Sequence, residues 1–170
     1  MNKFRLENKV NRLLDLLGYY YLIFGGVSLL LIFIGLINNL NNLNFLNIVF
    51  TLVPLSLAVI SIFCSLKFIK HNTEFLDIFK WVMCFQVVVF YLGDFLYFIS
   101  LGVSSVLSLN ILKGLHFNLN LNFMPSLSLG FADQHNISVG INLIAIITLY
   151  LIHRIEKEIR SLEILNSVND

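Results

Sequence analysis

Residues 81–112 read WVMCFQVVVFYLGDFLYFISLGVSSVLSLNIL, and how this stretch folds decides the architecture. Its one charged residue is Asp94. Taken as helix, Trp81 to Gly102 supplies the ~20 apolar residues needed to cross a hydrocarbon core of roughly 30 Å. The uncharged residues then continue to Leu112. A separate span over 95–112 would leave only Gly93 and Asp94 to reverse the chain, so one long helix is predicted.

On the N-terminal side, the run from Leu16 to Leu66 contains no Asp, Glu, Lys, Arg or His. Two spans are read from it, 17–37 and 45–69, the second running three residues past its end, separated by the polar turn 38–42. Tyr19, Tyr20 and Tyr21 open the first span, at the depth where amphipathic rings meet headgroups. Pro54 is placed to kink the second. Lys67, Lys70 and His71 suit the negative end of that helix's dipole. Asn72 or Thr73 is the predicted cap of the third helix, because Glu74 and Asp77 follow in its first turn. On the C-terminal side, 136–154 makes a fourth span, extended by snorkelling of His153 and Arg154. The expected fold class is therefore all-α integral membrane, a bundle of four transmembrane helices forming a single domain.

Composition agrees with a membrane setting. The 170 residues are 58% hydrophobic and 12% charged, against about 25% charged in ordinary soluble domains. A net charge of +1 leaves no basic footprint for nucleic acid. Of the eleven cations, Lys3, Arg5, Lys9 and Arg12 precede the first span, Lys67, Lys70 and Lys80 flank the second turn, and Arg154, Lys157 and Arg160 follow the last span. Only Lys113 falls on the other side. The positive-inside rule then puts both termini in the cytoplasm of a multi-pass protein of the cell (plasma or inner) membrane.

Outside the spans, residues 1–16 read as an amphipathic arm at the inner surface, with Leu6, Val10, Leu13, Leu14 and Leu17 spaced for one helical face. The cytoplasmic tail 155–170 continues the last helix with an apolar stripe, Ile155, Ile159, Leu162 and Leu165, suited to packing on that arm or docking a partner. The external loop 113–135 differs. From Leu115 to Phe123, Leu and Phe alternate with His116, Asn118, Asn120 and Asn122, which is strand periodicity. The alternation resumes from Ser126 to Phe131 after Met124 and Pro125. A small external β-hairpin over 115–131, between the third and fourth helices, is expected, with its Leu and Phe face on the bundle.

Few residues carry chemistry. Asp94 is the one acid within a predicted span, and intramembrane acids commonly serve as proton or cation sites. His116, Asp133 and His135 share the external segment and form a weak metal constellation, since imidazole and carboxylate suit zinc without any short ligand spacing here. His71 and His153 share the inner face, where two imidazoles could face a haem iron, although headgroup contact explains them as well. Cys64 and Cys84 have no metal spacing. Gly25, Gly26 and Ser28, with Gly93, allow close helix approach. No G-x-S-x-G, Walker loop, H-E-x-x-H or C-x-x-C motif is present.

The short basic turn from Lys67 to Lys80 leads into an apolar third helix, and the last span runs unbroken into a charged helix from Ile152 to Leu165. With the total length and the N-in, C-in topology, these traits resemble the small four-span bacterial membrane proteins grouped as domain of unknown function (DUF) 2975. That resemblance implies a non-enzymatic integral membrane protein, linked to a small helix-turn-helix regulator, and supplies no site residues. The sequence therefore predicts a multi-pass protein of the lipid bilayer that is not an enzyme and needs no cofactor. It would act by interaction, as a sensor, regulator or accessory subunit, with a protein partner on the cytoplasmic tail or the external hairpin. The alternative is a small transporter or channel component using Asp94 as its proton or cation site.

Overall fold

The glycines that let the first two helices meet are seven residues apart. A Cβ on Gly18 would lie 3.1 Å from the Ser65 carbonyl oxygen, and one on Gly25 would lie 2.8 Å from Ile62 Cγ1. Those two positions are where α1 (Lys3–Asn38) and α2 (Phe45–Ile69) pack antiparallel. Gly26 meets nothing within 4 Å, so of the expected Gly25-Gly26 pair only Gly25 serves the contact. The computed structural model describes residues 3–38, 45–111 and 115–169, without the side chains of 3, 131–136, 166, 168 and 169. Residues 39–42 of the expected polar turn, and Lys113, lie outside the described residues.

Among the described residues two helices are long and apolar enough to cross a membrane, Phe4–Asn38 and Phe45–Ile69. They contain the first two predicted spans. The other two predicted spans are overturned, and with them the all-α four-helix class. Only 81–87 of the third is helical, in α3 (Leu76–Val87), whose 12 residues reach about 18 Å. The chain then passes directly into β1 (Val88–Ser100). Of the fourth, 136–142 belongs to β4 (Ser126–Asn142), and α4 (Leu143–Asn169) starts only afterwards. The physical reason lies at Val87-Val88-Val89-Phe90-Tyr91. Branched and aromatic side chains crowd the preceding turn of a helix and pack well on a pleated surface. Gly93, at φ 62°, adopts a conformation no helix continues through.

β1 does not run straight. Thirteen extended residues would span about 43 Å, yet the Leu101 amide donates to Gln86 Oε1 at 2.8 Å, and Tyr97 Oη donates to the Phe85 carbonyl at 2.6 Å. The strand reverses at Gly93-Asp94, and Phe90 stacks on Tyr97 across the fold, with centroids 5.0 Å apart. β4 follows it as an antiparallel partner on both sides of the bend, from Val88↔Ile141 to Gly93↔Asn136 and from Phe95↔Phe131 to Ser100↔Ser126.

With β2 (Ser104–Asn110) and β3 (His116–Asn122) these strands form one four-stranded antiparallel sheet in the order β1-β4-β2-β3. The strand reading of 115–131 survives, but the hairpin does not. β3 pairs with β2, from Ser104↔Asn122 to Asn110↔His116, while 126–131 pairs with β1. Residues 123–125 therefore link two strands that are not neighbours.

The expected cap of the third helix is also corrected. Asn72 Oδ1 accepts the Glu74 amide in a local turn, and α3 starts later, at Leu76, behind Phe75 without a side-chain cap. Between α2 and α3 the His71 amide donates to the Phe68 carbonyl and the Asn72 amide to the Lys67 carbonyl. This is the 5→2 and 6→1 pattern of a helix closed by a left-handed residue.

The core gathers at the end opposite the bend. Phe68 and Phe79 meet edge to face at 5.2 Å, over Met83, Ile99 and Leu101. Leu6, Val10, Leu14 and Leu17 of the first 17 residues are buried, as are Ile152 and Ile155 of α4, with Ile159 and Leu162 packed against the same cluster. Lys9–Glu158, Lys80–Glu156 and His71–Asp15 tie the cation-bearing segments together at this end.

Candidate functional site

Where helices give way to strands, a band of buried polar side chains holds the junction. Gln86, the lone amide in an apolar run, anchors the β1–β2 turn through the Leu101 amide. Tyr20 Oη accepts the Val103 amide at 2.8 Å, and a Cβ on Gly102 would lie 2.7 Å from that oxygen, so a side chain there would displace the Tyr20 ring from its place. Asn142 stands at the start of α4, where its Oδ1 accepts the Ile144 amide as an N-cap and also takes the Ser105 amide. Tyr21 and Thr148 share a hydroxyl–hydroxyl bond of 2.9 Å. This band orients the sheet on the helices. The isolated polar residues Gln86 and Asn142 beside apolar runs were its signal in the sequence.

Beyond the junction the sheet has two unlike faces, fixed by its register. One row joins Leu119, Leu107, Ile141 and Val88 across all four strands, and these side chains are 60%, 37%, 40% and 44% exposed. A parallel row runs Phe117, Leu109, Val139 and Phe90. On the reverse face the corresponding row is Asn118, Ser108, Gly140 and Val89. The alternation of Ser with Leu in 104–110, matching that of Asn with Leu in β3, is the signal that would have found β2.

A cleft of about 500 Å³ opens elsewhere, between Leu31, Leu36, Phe50 and Pro54 of the helix pair and Leu127 and Leu129 of β4. Most of its lining side chains are apolar, but Asn47 and Thr51 also face it and polar atoms form a large share of its surface. Its size lies within the range of small-molecule pockets. Thr51 lines it, but its hydroxyl is already donated to the Asn47 carbonyl.

Asp94 is exposed, on β1 at the bend, and so stands outside any helix. Opposite it, residues 132–135 take the outer path round the bend, because Gly93 pairs with Asn136 and Phe95 with Phe131. The backbones of Asp133 and His135 therefore share this bend with Asp94, while their side chains lie outside the description. His116 sits on the far edge strand opposite Asn110, whose other neighbour is Ser138. Among the described residues no three His, Cys, Asp or Glu side chains gather to hold a metal ion. His71 turns to Asp15, with Nε2 3.1 Å from Oδ1, and His153 is exposed on α4.

Comparison with models of known protein families, with curated proteins and with solved structures finds no match to this chain.

Proposed function

We propose that the chain is a membrane-anchored interaction protein, an accessory or regulatory subunit whose α1–α2 pair crosses the bilayer and whose sheet is the contact surface. One observation carries this reading, the apolar row exposed across all four strands. Such a surface is costly to leave in water, and contiguous exposed apolar patches of this kind mark contact sites. The polar junction band supports it by tying the sheet to α1, α3 and α4. The cation-rich end, tied by the Lys9–Glu158 and Lys80–Glu156 ion pairs and the His71–Asp15 hydrogen bond, fits a cytoplasmic face under the positive-inside rule. Asp94, exposed at the bend, does not favour the transporter reading.

A photo-reactive residue placed at Leu107, in the middle of the row, tests the proposal in native membranes. Discrete adducts to a second protein are expected there and not from the same probe at Lys70, near the opposite end. Adducts to lipid alone at Leu107 would refute it.

A further inference from the structure

We infer that β3 is a seam at which two copies of this chain pair edge to edge, antiparallel, about a two-fold axis through Leu119. β3 ends the sheet, and each of its seven residues, His116 to Asn122, is exposed. Phe117, Leu119 and Leu121 lie on the apolar face and Asn118, Asn120 and Asn122 on the polar one. Edge strands are normally guarded by lysine, proline, a bulge or extreme shortness, because their unpaired amides and carbonyls are a template for another strand. Between His116 and Asn122 there is no lysine, no proline and no formal charge, and the pairing with β2 has no register shift.

The sequence pattern selects the occupant. An axis at residue 119 sets 118 against 120 and 117 against 121 of the second copy, so Leu and Phe meet Leu and Phe while Asn meets Asn. Only registers that keep odd residues opposite odd ones preserve both faces, and the strand's own midpoint, Leu119, satisfies that condition. The apolar row then continues into its copy, and two four-stranded sheets join as one of eight, within the usual range. Lipid chains would cover Phe117, Leu119 and Leu121 but offer nothing to the amide edge. Water would serve the edge and leave those side chains bare. An identical strand pairs the edge and sets Phe117, Leu119 and Leu121 against apolar side chains of its copy, without like charges to repel it.

The inference rests on the reading of the sheet as a contact surface and names the occupant of its edge. Pairing along seven residues buries less than the ~800 Å² per partner of a standard interface. The dimer is therefore reversible and rises with the protein-to-lipid ratio.

The experiment uses the full chain in phosphatidylcholine–phosphatidylglycerol vesicles, with the exposed Cys84 replaced by serine. Oxidation of Leu119→Cys should give a disulfide dimer, because directly opposed strand residues have Cα atoms about 4.5–5.5 Å apart, within disulfide reach. Phe117→Cys and Leu121→Cys should each remain monomeric alone and cross-link when mixed. Leu119→Lys, which sets like charges together on the axis, should weaken energy transfer between labelled chains at least tenfold while the strand signal in the infrared amide band is retained. Equal cross-linking at all three positions would mean random collision, and absence of a dimer at Leu119→Cys would mean that lipid, water or another protein covers the edge. Either result overturns the pairing. Loss of the Leu107 adducts to a second protein, with the Leu119→Cys dimer intact, would instead remove the proposed subunit role and leave the seam standing.

Discussion

His71 holds φ at 55° to close α2 and turn the chain into α3. The left-handed region costs an L-residue about 1–2 kcal/mol, more for branched side chains than for His or Asn. His71→Gly should therefore leave the thermal midpoint nearly unchanged, since relief of strain offsets the lost Asp15 contact and the added chain entropy. His71→Val should lower stability by about 1–2 kcal/mol, read by thermal unfolding in detergent. The basic cluster Lys67-Lys70-His71 was legible as a helix end, because cations and helix C-termini attract one another locally. Its left-handed residue was not legible, because glycine, the usual marker, is absent. Gly93 shows the converse. The glycine was visible, but in an apolar run it suits close helix packing as well as a reversal, and only the pairing of β1 with β4 on both sides of it decides for the bend.

At the scale of elements, α2 and the end of α1 were readable to within a few residues, since a helix satisfies its own backbone and an apolar run of the right length needs no distant partner. The start of α1 was not, because α1 runs unbroken from Lys3 and takes in the segment expected as a separate arm at the inner surface. What pairs them was less readable. Gly18 and Gly25 make the contact while Gly26, identical in type, faces open space. Gly18→Ala should cost about 1–3 kcal/mol, because the new methyl group meets the Ile69 side chain and, close behind it, the Ser65 carbonyl and the Ile69 amide nitrogen, backbone atoms that cannot swing aside. Gly26→Ala should instead gain about 0.5–1 kcal/mol through helix propensity. Unfolding midpoints of the two variants, measured side by side, check the contrast. Among the strands, β3 was legible from the alternation of Asn with Leu, whereas its partner was not. The nearest alternating run, 126–131, looks like the other arm of a hairpin, yet β2 and β1 compete for the two runs and win.

For the molecule as a whole, the charged contacts between distant segments gather at one end, where α3, α4 and the start of α1 meet. Lys80 joins α3 to α4, and its ammonium is held above the ordinary lysine range by the Glu156 carboxylate first and by Asp77 second. A raised lysine contributes stability that is fully present below its unfolded value and is lost as pH rises through the folded one. The unfolding midpoint should therefore fall above the ordinary lysine value of 10.5. Lys80→Met should remove part of that fall and about 1 kcal/mol at neutral pH, a magnitude reduced by the partial exposure of the pair. A pH series on the two chains, followed by tryptophan fluorescence of Trp81, measures both effects.

The sequence by itself determined the two long apolar helices, the grouping of the cations and the strand character of 115–131, because each rests on local periodicity or composition. Tertiary structure alone decided that 88–100 is a strand folded back on itself, that α3 stops after 12 residues, and that β3 lies at an open edge. A strand's hydrogen bonds come from residues far along the chain. Valine-rich apolar sequence serves a helix in lipid or a strand in a sheet, and only the partner that reaches it settles which one forms.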